Sequence, residues 1–400
     1  MKVLLLSNLF PTSSDPNRGL FTAQLAAEMR GHCDLRVMVP LPWTPQGALA
    51  ASILPARYRE FALASKQMLV RGVEAQYPRY PLLPRVSERW HPALMRLTLR
   101  RRLERLRREF PFEVILSQWL YPDGVAAVAI GRELGVPVVV SGLGCDVNEY
   151  LFHPEKRQQL LEALQGAAAI TVVSSELADV LSGTGIPAGR ITVIPNGVDT
   201  TRFHPASREA ARAALGLDAQ RPLVVCVSRL SPEKGVQVLV EAVPLLARLR
   251  AGIHVAVVGD GPERSTLLER ISRDGSADSI RMVGAVPHEQ VATWLAAADV
   301  VCMPSLREGH PNAAMETLAS GRPLVASRVG ALRSMINDGV GRLVPPGDAD
   351  ALAHALDDAL GMSWDEAAIS RTVEDSSWSA AAKRYLEVLA RHAARPDKAA

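Results

Sequence analysis

The chain has 400 residues, of which 48% are hydrophobic and 22% are charged, and its mean hydropathy is +0.07. This composition is typical of a folded globular protein, and the length is too great for one ordinary hydrophobic core. We therefore predict two domains of about 150–200 residues each. The formal net charge of +3 is too small to indicate nucleic-acid binding.

The cysteines and the N-terminus indicate an intracellular protein. Cys33, Cys145, Cys226 and Cys302 are far apart in the chain and lie mostly in apolar runs. We expect buried thiols and neither a zinc site nor a disulfide framework. The short apolar run at the N-terminus predicts a first buried strand, not a secretory signal. Because no run of about 18 apolar residues occurs, we expect no membrane-spanning helix and a cytoplasmic location.

The N-terminal part begins with a strand, a loop and a helix. A strand at 3–7 leads into a turn-rich loop that ends at Gly19, and the next helix carries Phe21 and Leu25 on one face. A glycine in such a loop lets the backbone approach a ligand closely, although a complete G-x-G-x-x-G is absent. Residues 41–84 are rich in proline and aromatic residues, and we expect them to be irregular.

A strongly basic segment follows. From Arg85 to Glu109 the chain carries nine arginines and three glutamates, with apolar residues between them. One explanation is a solvated amphipathic helix that covers the sheet. The alternative is a surface, Arg85 to Arg108, that contacts an anionic membrane, because each arginine near such a surface contributes about 1 kcal/mol. The sequence leaves both explanations open.

Asp146 is a polar candidate in the first domain. It follows a strand at 137–141, and its carboxylate can orient or deprotonate a hydroxyl or can cap a helix. Strands at 169–173 and 191–194 are expected to complete the first sheet. The turn residues of 196–205 predict an ordered connector. We therefore divide the chain into domains at 1–195 and 206–375, with a final segment at 376–400.

The second domain carries two cations in one short loop. Arg229 and Lys234 lie between a predicted strand at 223–228 and a helix. Arginine binds phosphate bidentately and lysine acts as a point charge, so this pair suits a diphosphate. Two unrelated surface cations are the alternative.

Two glutamates flank a turn near the C-terminal end. A buried strand at 298–303 precedes this turn, and a short helix from Asn312 to Ser320 follows, which Gly321 can close. This order places backbone N–H groups and the positive end of a helix at the carboxyl edge of a sheet. Glu308 lies in the turn and Glu316 in the helix. The pattern alone predicts either an anion site or a solvated helix entry.

Several stretches together resemble one family. The segment E-G-H-P-N-A-A-M-E, 308–316, closely resembles the E-x7-E signature of retaining glycosyltransferases of family 4. R-L-x-x-x-K-G at 229–235, I-P-N-G-V-D at 194–199 and Y-P-D-G at 121–124 are similar to further stretches of that family. The resemblance extends over nearly the whole chain. It implies the α/β fold called GT-B, in which two Rossmann-like, doubly wound parallel-sheet domains face one another across a cleft and the final helix packs back towards the N-terminal domain.

The resemblance implies roles in the second domain. Glu316 would accept the ribose hydroxyls of a nucleotide diphosphate-sugar, since a carboxylate offers two acceptor oxygens. Glu308 would contact the donor sugar near its anomeric carbon, while Arg229 and Lys234 would hold the diphosphate. Further residues would complete the donor site: Gly259, Val283 beside the nucleobase, Gly309, His310, Pro311 and Asn312.

The resemblance also implies roles in the first domain. Gly19 would approach the donor phosphates or the acceptor, Asp146 would lie near the acceptor, and 41–84 would face it. Family members commonly have histidine or arginine where this chain has Leu143, which can donate neither a hydrogen bond nor a proton. This departure favours one alternative, a catalytically weak homologue that acts as a nucleotide-sugar-binding or scaffold subunit. A GT-B epimerase is another.

The implied reaction is retaining transfer of a sugar to an acceptor hydroxyl without a metal or a bound cofactor. No D-x-D occurs in a catalytic setting, so Arg229, Lys234 and backbone amides would stabilise the departing diphosphate. With Glu316 assigned to the ribose, a two-carboxylate double displacement is not expected, and front-face attack is the consistent route. The acceptor would be a saccharide or lipid-linked saccharide in exopolysaccharide or lipid-linked glycan synthesis, at the inner face of the membrane.

Overall fold

The computed structural model describes residues 1–43, 56–82 and 87–394. The chain forms two compact units. One unit comprises Met1–Asn196 together with Trp378–Ala400, and the other comprises Gly197–Ser377. The last helix, Trp378–His392, therefore belongs to the first unit.

The first unit is built around a mostly parallel sheet. Its described strands are β1 Lys2–Leu6, β2 Asp34–Met38, β3 Leu41–Trp43, β4 Gln67–Val70, β5 Val73–Gln76, β6 Arg79–Pro81, β7 Val114–Gln118, β8 Val138–Gly142, β9 Ala169–Val172 and β10 Ile191–Val193. Eight of them form one sheet in the order β10-β9-β8-β7-β1-β2-β5-β4, in which only β4 runs antiparallel to its neighbour. Every residue of β7, β8 and β9 is buried, as expected for a parallel sheet covered on both faces.

Helices cover both faces of this sheet. Those described are α1 Leu20–Arg30, α2 Ala56–Leu63, α3 His91–Glu109, α4 Val125–Leu134, α5 Cys145–Asn148, α6 Pro154–Gly166 and α7 Ser175–Ser182. The last helix of the chain packs on α1 and adds Trp378, Tyr385 and Leu389 to the core of this unit. Within the part of the chain that the structure describes, no helix is both long and apolar enough to cross a membrane.

The expectation that residues 41–84 are irregular is wrong for the described part. Strands β4 and β5 form a hairpin whose two loop residues, Arg71 and Gly72, have φ angles of 49° and 77°. Two positive φ angles define the type I′ turn, whose twist matches that of paired strands. Strands β3 and β6 add a short parallel ladder. The sequence analysis missed these strands because each has only three or four residues, which is too few for a clear alternation of apolar and polar residues. Residues 44–55 and 83–84 lie outside the described part.

The second unit contains one parallel sheet. Its strands are β11 Leu223–Val227, β12 His254–Val258, β13 Ile280–Gly284, β14 Val300–Met303, β15 Leu324–Ser327 and β16 Gly341–Val344. Their order is β13-β12-β11-β14-β15-β16, which is the Rossmann order, with every pair parallel. Alternate residues of β11 enter different cores, Val225 on one face and Val224 and Cys226 on the other. The doubly wound α/β prediction is confirmed.

Helices also lie on both faces of the second sheet. They are α8 Arg208–Leu215, α9 Val236–Leu249, α10 Arg264–Arg273, α11 His288–Ala297, α12 Asn312–Ala319, α13 Leu332–Met335, α14 Ala349–Gly361 and α15 Glu366–Arg371, and the chain ends with α16, Trp378–His392. The predicted closure of α12 is confirmed. Gly321 has φ 70°, its N–H donates to the Leu318 carbonyl, and the Arg322 N–H donates to the Thr317 carbonyl at 3.2 Å.

The cysteines are only partly as expected. Cys226 and Cys302 are buried, Cys33 is half-buried, and Cys145 is exposed. Burial raises the pKa of the Cys226 thiol to about 12. Cys145 is exposed because it begins α5 in a loop beyond β8, so the prediction of a buried thiol is wrong there.

Each sheet has one point at which its strand order reverses. In the second unit this point lies between β11 and β14, and in the first unit it lies between β1 and β7. The loops at the carboxyl ends of the strands diverge at such a point and leave a crevice in which ligands bind. The loops that leave β11 and β14 carry the predicted diphosphate and sugar residues.

Candidate functional site

The loops after β11 and β14 are fastened to each other in the second unit. The Glu233 carbonyl accepts hydrogen bonds from the N–H groups of Leu306 at 2.8 Å and Arg307 at 3.2 Å. Gly235, at φ 65°, lies so close to β14 that a Cβ atom there would be 2.0 Å from the Pro304 carbonyl oxygen. Only glycine therefore fits between the short turn Pro232–Lys234 and the end of β14.

Lys234 and Glu308 form an ion pair at this junction. The Lys234 ammonium lies 2.7 and 2.9 Å from the two carboxylate oxygens of Glu308, and the Ser305 hydroxyl donates to Oε1 at 2.7 Å. The Glu308 side chain is only 6% exposed, whereas that of Lys234 is 29% exposed. Two residues that are 74 positions apart, and that were predicted to serve the diphosphate and the sugar, are in direct contact.

Arg229 contributes positive charge to the same loop. Its side chain is exposed, and its carbonyl accepts from the Ser231 N–H at 3.0 Å. Burial alone would raise the pKa of Glu233, yet that pKa is lowered by a hydrogen bond from Ser231 and by the charges of Lys234 and Arg229. Both predicted cations therefore act on one carboxylate within the loop.

The helix N-terminus predicted beside Glu308 is present. Residues 304–311 connect β14 to α12, with Gly309, His310 and Pro311 at the end of this connection, and Asn312 is the first residue of that helix. The Gly309 carbonyl accepts from the Ala331 N–H at 3.2 Å, which attaches this turn to the loop after β15. The first amides of an α-helix have no partner within the helix, so this end favours an anion.

Glu316 belongs to a second polar group in the same unit. His288 Nε2 lies 2.9 Å from its carboxylate oxygen Oε1, and Arg202 Nη1 lies 2.9 Å from His288 Nδ1. The side chains of Glu316 and His288 are 14% and 15% exposed. The sequence analysis missed His288 because this residue lies 28 positions from Glu316 and belongs to none of the recognised motifs. The available signal was a polar residue that begins a helix after a strand.

Gly259 and Val283 lie at the ends of neighbouring strands. Val283 is in β13, and the Gly259 N–H, just beyond β12, donates to the Gly284 carbonyl at 2.8 Å. The predicted donor residues, Gly19 excepted, therefore all lie in the second unit, in or near its carboxyl-edge loops. Among the residues that the structure describes, no group of three or more His, Cys, Asp or Glu side chains is placed to hold a metal ion.

Gly19 lies in the first unit, where packing explains the need for glycine. It immediately precedes α1 with φ 56°, and a Cβ atom there would be 2.2 Å from the carbonyl carbon of Leu9. The loop after β1 thus folds tightly on itself. A role for Gly19 toward a donor or acceptor stays a prediction.

The structure assigns Asp146 a different task from the two predicted ones. Its side chain is fully buried, and its carboxylate accepts from the N–H groups of Leu120 at 2.9 Å, Leu143 at 2.9 Å and Gly144 at 2.8 Å. Burial raises its pKa to about 6, although these hydrogen bonds oppose the shift. The expectation of a helix cap is wrong, because the carboxylate joins the loops that follow β7 and β8 and makes no cap hydrogen bond to α5. A role for Asp146 toward an acceptor hydroxyl stays a prediction.

Leu143 is held by this same arrangement. Its N–H donates to Asp146, and its side chain is half-buried against the core of the first unit. The residue that departs from the family pattern therefore packs as an ordinary apolar side chain.

Asp123, in the stretch Y-P-D-G, is a second buried carboxyl group at the first unit's reversal point. Its Oδ1 accepts from the Asn8 N–H at 2.7 Å, whereas its buried Oδ2 has no hydrogen-bond partner within the described residues. Burial raises its pKa to about 8. This side chain joins the loops that follow β1 and β7.

Solved structures identify the fold. The chain superimposes on HepE of Anabaena in complex with UDP with a TM-score of 0.72 at 19% identity, covering 98% of this chain and 100% of that one. Sucrose-phosphate synthase from Thermosynechococcus elongatus matches with a TM-score of 0.75 at 21% identity, covering 98% of each chain. The fold is that of the GT-B proteins, as the sequence analysis predicted.

Relatives in sequence identify the family. Residues 221–361 match the family described as Glycosyl transferases group 1, and residues 50–202 match Glycosyltransferase Family 4. The D-inositol 3-phosphate glycosyltransferase of Frankia alni is 33% identical over 309 residues, 71% of this chain and 75% of the relative. TuaC of Bacillus subtilis, named for teichuronic acid biosynthesis, is 28% identical over 363 residues, 89% of this chain and 88% of that one. The chain belongs to the group 1, family 4 glycosyltransferases and is an enzyme of the transferase class.

The buried Asp123 predicts a stability that depends on pH. A carboxyl group whose pKa is raised by folding binds its proton more tightly in the folded state. The free energy of unfolding should therefore fall as pH rises from about 4 towards 8, and Asp123→Asn, which cannot ionise, should flatten this slope between pH 6 and 8. Urea unfolding at several pH values measures the free energy of unfolding and hence its slope with pH. The exposed Asp179→Asn serves as the control, and an unchanged slope in Asp123→Asn would contradict the assignment.

Proposed function

We propose that this glycosyltransferase takes a sugar from a nucleotide diphosphate-sugar and transfers it, with retention at the anomeric carbon and without a metal ion, to a hydroxyl of a saccharide or lipid-linked acceptor. The observation that carries the proposal is the contact between Lys234 and Glu308 at the reversal point of a Rossmann sheet. A cation for the diphosphate and a carboxylate for the sugar are thereby within one hydrogen bond of each other.

Breaking the bond between sugar and diphosphate leaves negative charge on the diphosphate. Lys234, Arg229 and the first amides of α12 are positive or partly positive groups on loops that rigid strands hold in place. Groups oriented in advance lower the energy of a charged transition state because they need no reorganisation, and one such donor is worth about 10²–10³ in kcat. These groups can serve in place of a divalent cation.

A second set of residues would bind the nucleotide part of the donor. Glu316 offers two acceptor oxygens for the ribose hydroxyls, and the backbone near Val283 would lie beside the nucleobase. HepE, which shares the fold, has been crystallised with UDP and with UDP-glucose, and this supports a nucleotide-sugar donor for the present chain.

The acceptor is proposed from relatives. TuaC is named for teichuronic acid biosynthesis, and a relative from Mycolicibacterium smegmatis that is 31% identical over 283 residues is named as a phosphatidylinositol monomannoside mannosyltransferase. A polysaccharide and a lipid-linked saccharide are thus both represented, and either presents hydroxyl acceptors. Exopolysaccharide or lipid-linked glycan synthesis is the corresponding process.

Two alternatives concern chemistry. A weak homologue that only binds donor, which Leu143 favours, would show a thermal shift with nucleotide-sugars but no turnover. An epimerase would convert the donor sugar without an acceptor. Analysis of sugar products with and without saccharide acceptors separates both from a transferase.

Removal of either cation should slow turnover. We expect Lys234→Ala and Arg229→Ala to reduce transfer at least tenfold, because each removes positive charge from the diphosphate site, while EDTA has little effect. Thermal shifts with ADP, GDP and UDP first identify which nucleobase the donor carries. Activity is then measured as release of that nucleoside diphosphate from the matching nucleotide-sugars. Arg248→Ala, an exposed arginine at the far end of α9, is the control. Strong dependence on a divalent metal would contradict the scheme.

Removal of the Glu308 carboxylate should separate chemistry from binding. Glu308→Gln is expected to reduce transfer at least 100-fold, because the group near the anomeric carbon loses its charge. The nucleoside diphosphate should bind as tightly as before or more tightly, since Lys234 loses the anion that pairs with it. Calorimetric titration measures this binding, with the exposed Glu269→Gln as the control. Equal losses of transfer and binding would refute the sugar-side role.

The basic segment is proposed to contact an anionic membrane. In α3, Met95, Leu99 and Leu103 are buried while Leu97 is 74% exposed. The exposed arginines of this helix are Arg96, Arg100, Arg101, Arg102, Arg105 and Arg108. Arg96 and Arg100 are paired with Glu133, so part of this charge is already compensated. Arg85 lies outside the described residues.

Sedimentation with vesicles tests the membrane contact. Binding to vesicles with anionic lipid, weakened by salt and by replacement of Arg101, Arg102, Arg105 and Arg108 with glutamine, is the expected result. Vesicles of neutral lipid are the control. Equal binding to both vesicle types, or no binding, would leave α3 as a solvated cover of the sheet.

A further inference from the structure

His288 is enclosed on several sides in the second unit. It is the first residue of α11, and its ring packs edge-on against Phe203, with 5.4 Å between ring centroids and 61° between ring planes. Phe203 is only 1% exposed. One ring nitrogen faces Arg202 and the other faces Glu316, each at 2.9 Å. The ring therefore has a fixed orientation between a cation and a carboxylate.

The chemistry of its neighbours determines which nitrogen carries the proton. A guanidinium group can only donate hydrogen bonds, so Nδ1, which lies beside Arg202 Nη1, must accept. The neutral ring then carries its proton on Nε2, which donates to Oε1 of Glu316. Arg202 thus selects the tautomer that can hold the glutamate.

Arg202 is itself anchored. Its Nη1 lies 3.7 Å from a carboxylate oxygen of Glu289, and its Nε lies 4.0 Å from one of Asp199. The backbone N–H of Arg202 also donates to the backbone carbonyl of Asp199 at 3.1 Å. The guanidinium is therefore oriented by two carboxylates when it meets His288.

We propose that His288 is a positioning residue for ribose recognition, and that Arg202 acts through it. This inference rests on the proposed function, in which Glu316 accepts the ribose hydroxyls. A hydrogen bond to Oε1 fixes the rotation of the carboxylate and hence the direction of Oε2. A glutamate that is oriented in advance loses less side-chain freedom on binding, so affinity for a ribose with both hydroxyls rises.

The test compares a ribonucleoside diphosphate with its 2′-deoxy counterpart. The probe is whichever of ADP, GDP and UDP gives the largest thermal shift with the wild-type protein, and Kd is measured by calorimetric titration. His288→Leu should weaken binding of the ribonucleotide about 5–10-fold and that of the deoxynucleotide less than twofold. A general loss of structure would weaken both ligands equally. His204→Leu, which alters an exposed histidine directly after Phe203, is the matched control.

Glutamine provides a rescue. Its amide nitrogen can occupy the position of Nε2 and donate to Glu316 without a tautomer to be selected. His288→Gln should keep the preference for ribose within twofold of the wild-type value. Arg202→Leu should reduce that preference in the wild-type background and have no further effect in the His288→Gln background. If His288→Leu does not fold, this comparison of His288→Gln with and without Arg202→Leu carries the test.

The outcomes separate this inference from the proposed function. If the wild-type protein prefers the ribonucleotide and His288→Leu keeps the full preference, the role of His288 is refuted while donor binding stands. If the wild-type protein binds both nucleotides equally, the ribose role of Glu316 is refuted, and that of His288 with it. Binding of no nucleoside diphosphate at all would refute the proposed function itself.

Discussion

The ion pair between Lys234 and Glu308 is the interaction on which the site depends. A carboxylate that is 6% exposed needs a compensating charge, which Lys234 supplies, and the Ser305 hydroxyl adds a hydrogen bond. The same pair joins the loop after β11 to the loop after β14. In the proposed function, an anionic ligand at Lys234 would compete with Glu308 for the ammonium group, so donor binding and the orientation of the Glu308 carboxylate would be physically linked.

The Rossmann strand order makes this contact possible. Because β14 lies directly beside β11, residues that are far apart in the chain leave the sheet at neighbouring points. Gly235 permits the backbone approach, and the Glu233 carbonyl ties the loops by two hydrogen bonds. In the first unit the buried carboxyl groups of Asp123 and Asp146 join loops in a comparable manner, and both have raised pKa values because burial disfavours their charged forms.

Local pattern predicted most of the architecture and supplied the residues that are proposed for the donor side. Apolar runs of four or five residues bounded by turns located most strands of both sheets, and the motifs around Arg229, Lys234, Glu308 and Glu316 indicated the family. Pattern failed where the signal was weak or ambiguous. The hairpin of β4 and β5 is too short for periodicity, and an aspartate beside a helix start, such as Asp146, has the same sequence pattern whether it caps, catalyses or is buried.

The sequence by itself determined the doubly wound α/β class and the family, because these follow from short-range periodicity and from motifs contiguous in the chain. The same motifs contain the charged residues that are proposed for the donor site. Only the tertiary structure decided which of those charges meet. Three sets of contacts depend on which strands are neighbours. They are the ion pair of Lys234 with Glu308 across 74 positions, the three backbone N–H groups that donate to Asp146, and the hydrogen bonds that link Arg202 through His288 to Glu316. Hydrogen bonds and ion pairs require contact within a few ångströms, and sequence separation does not specify that distance.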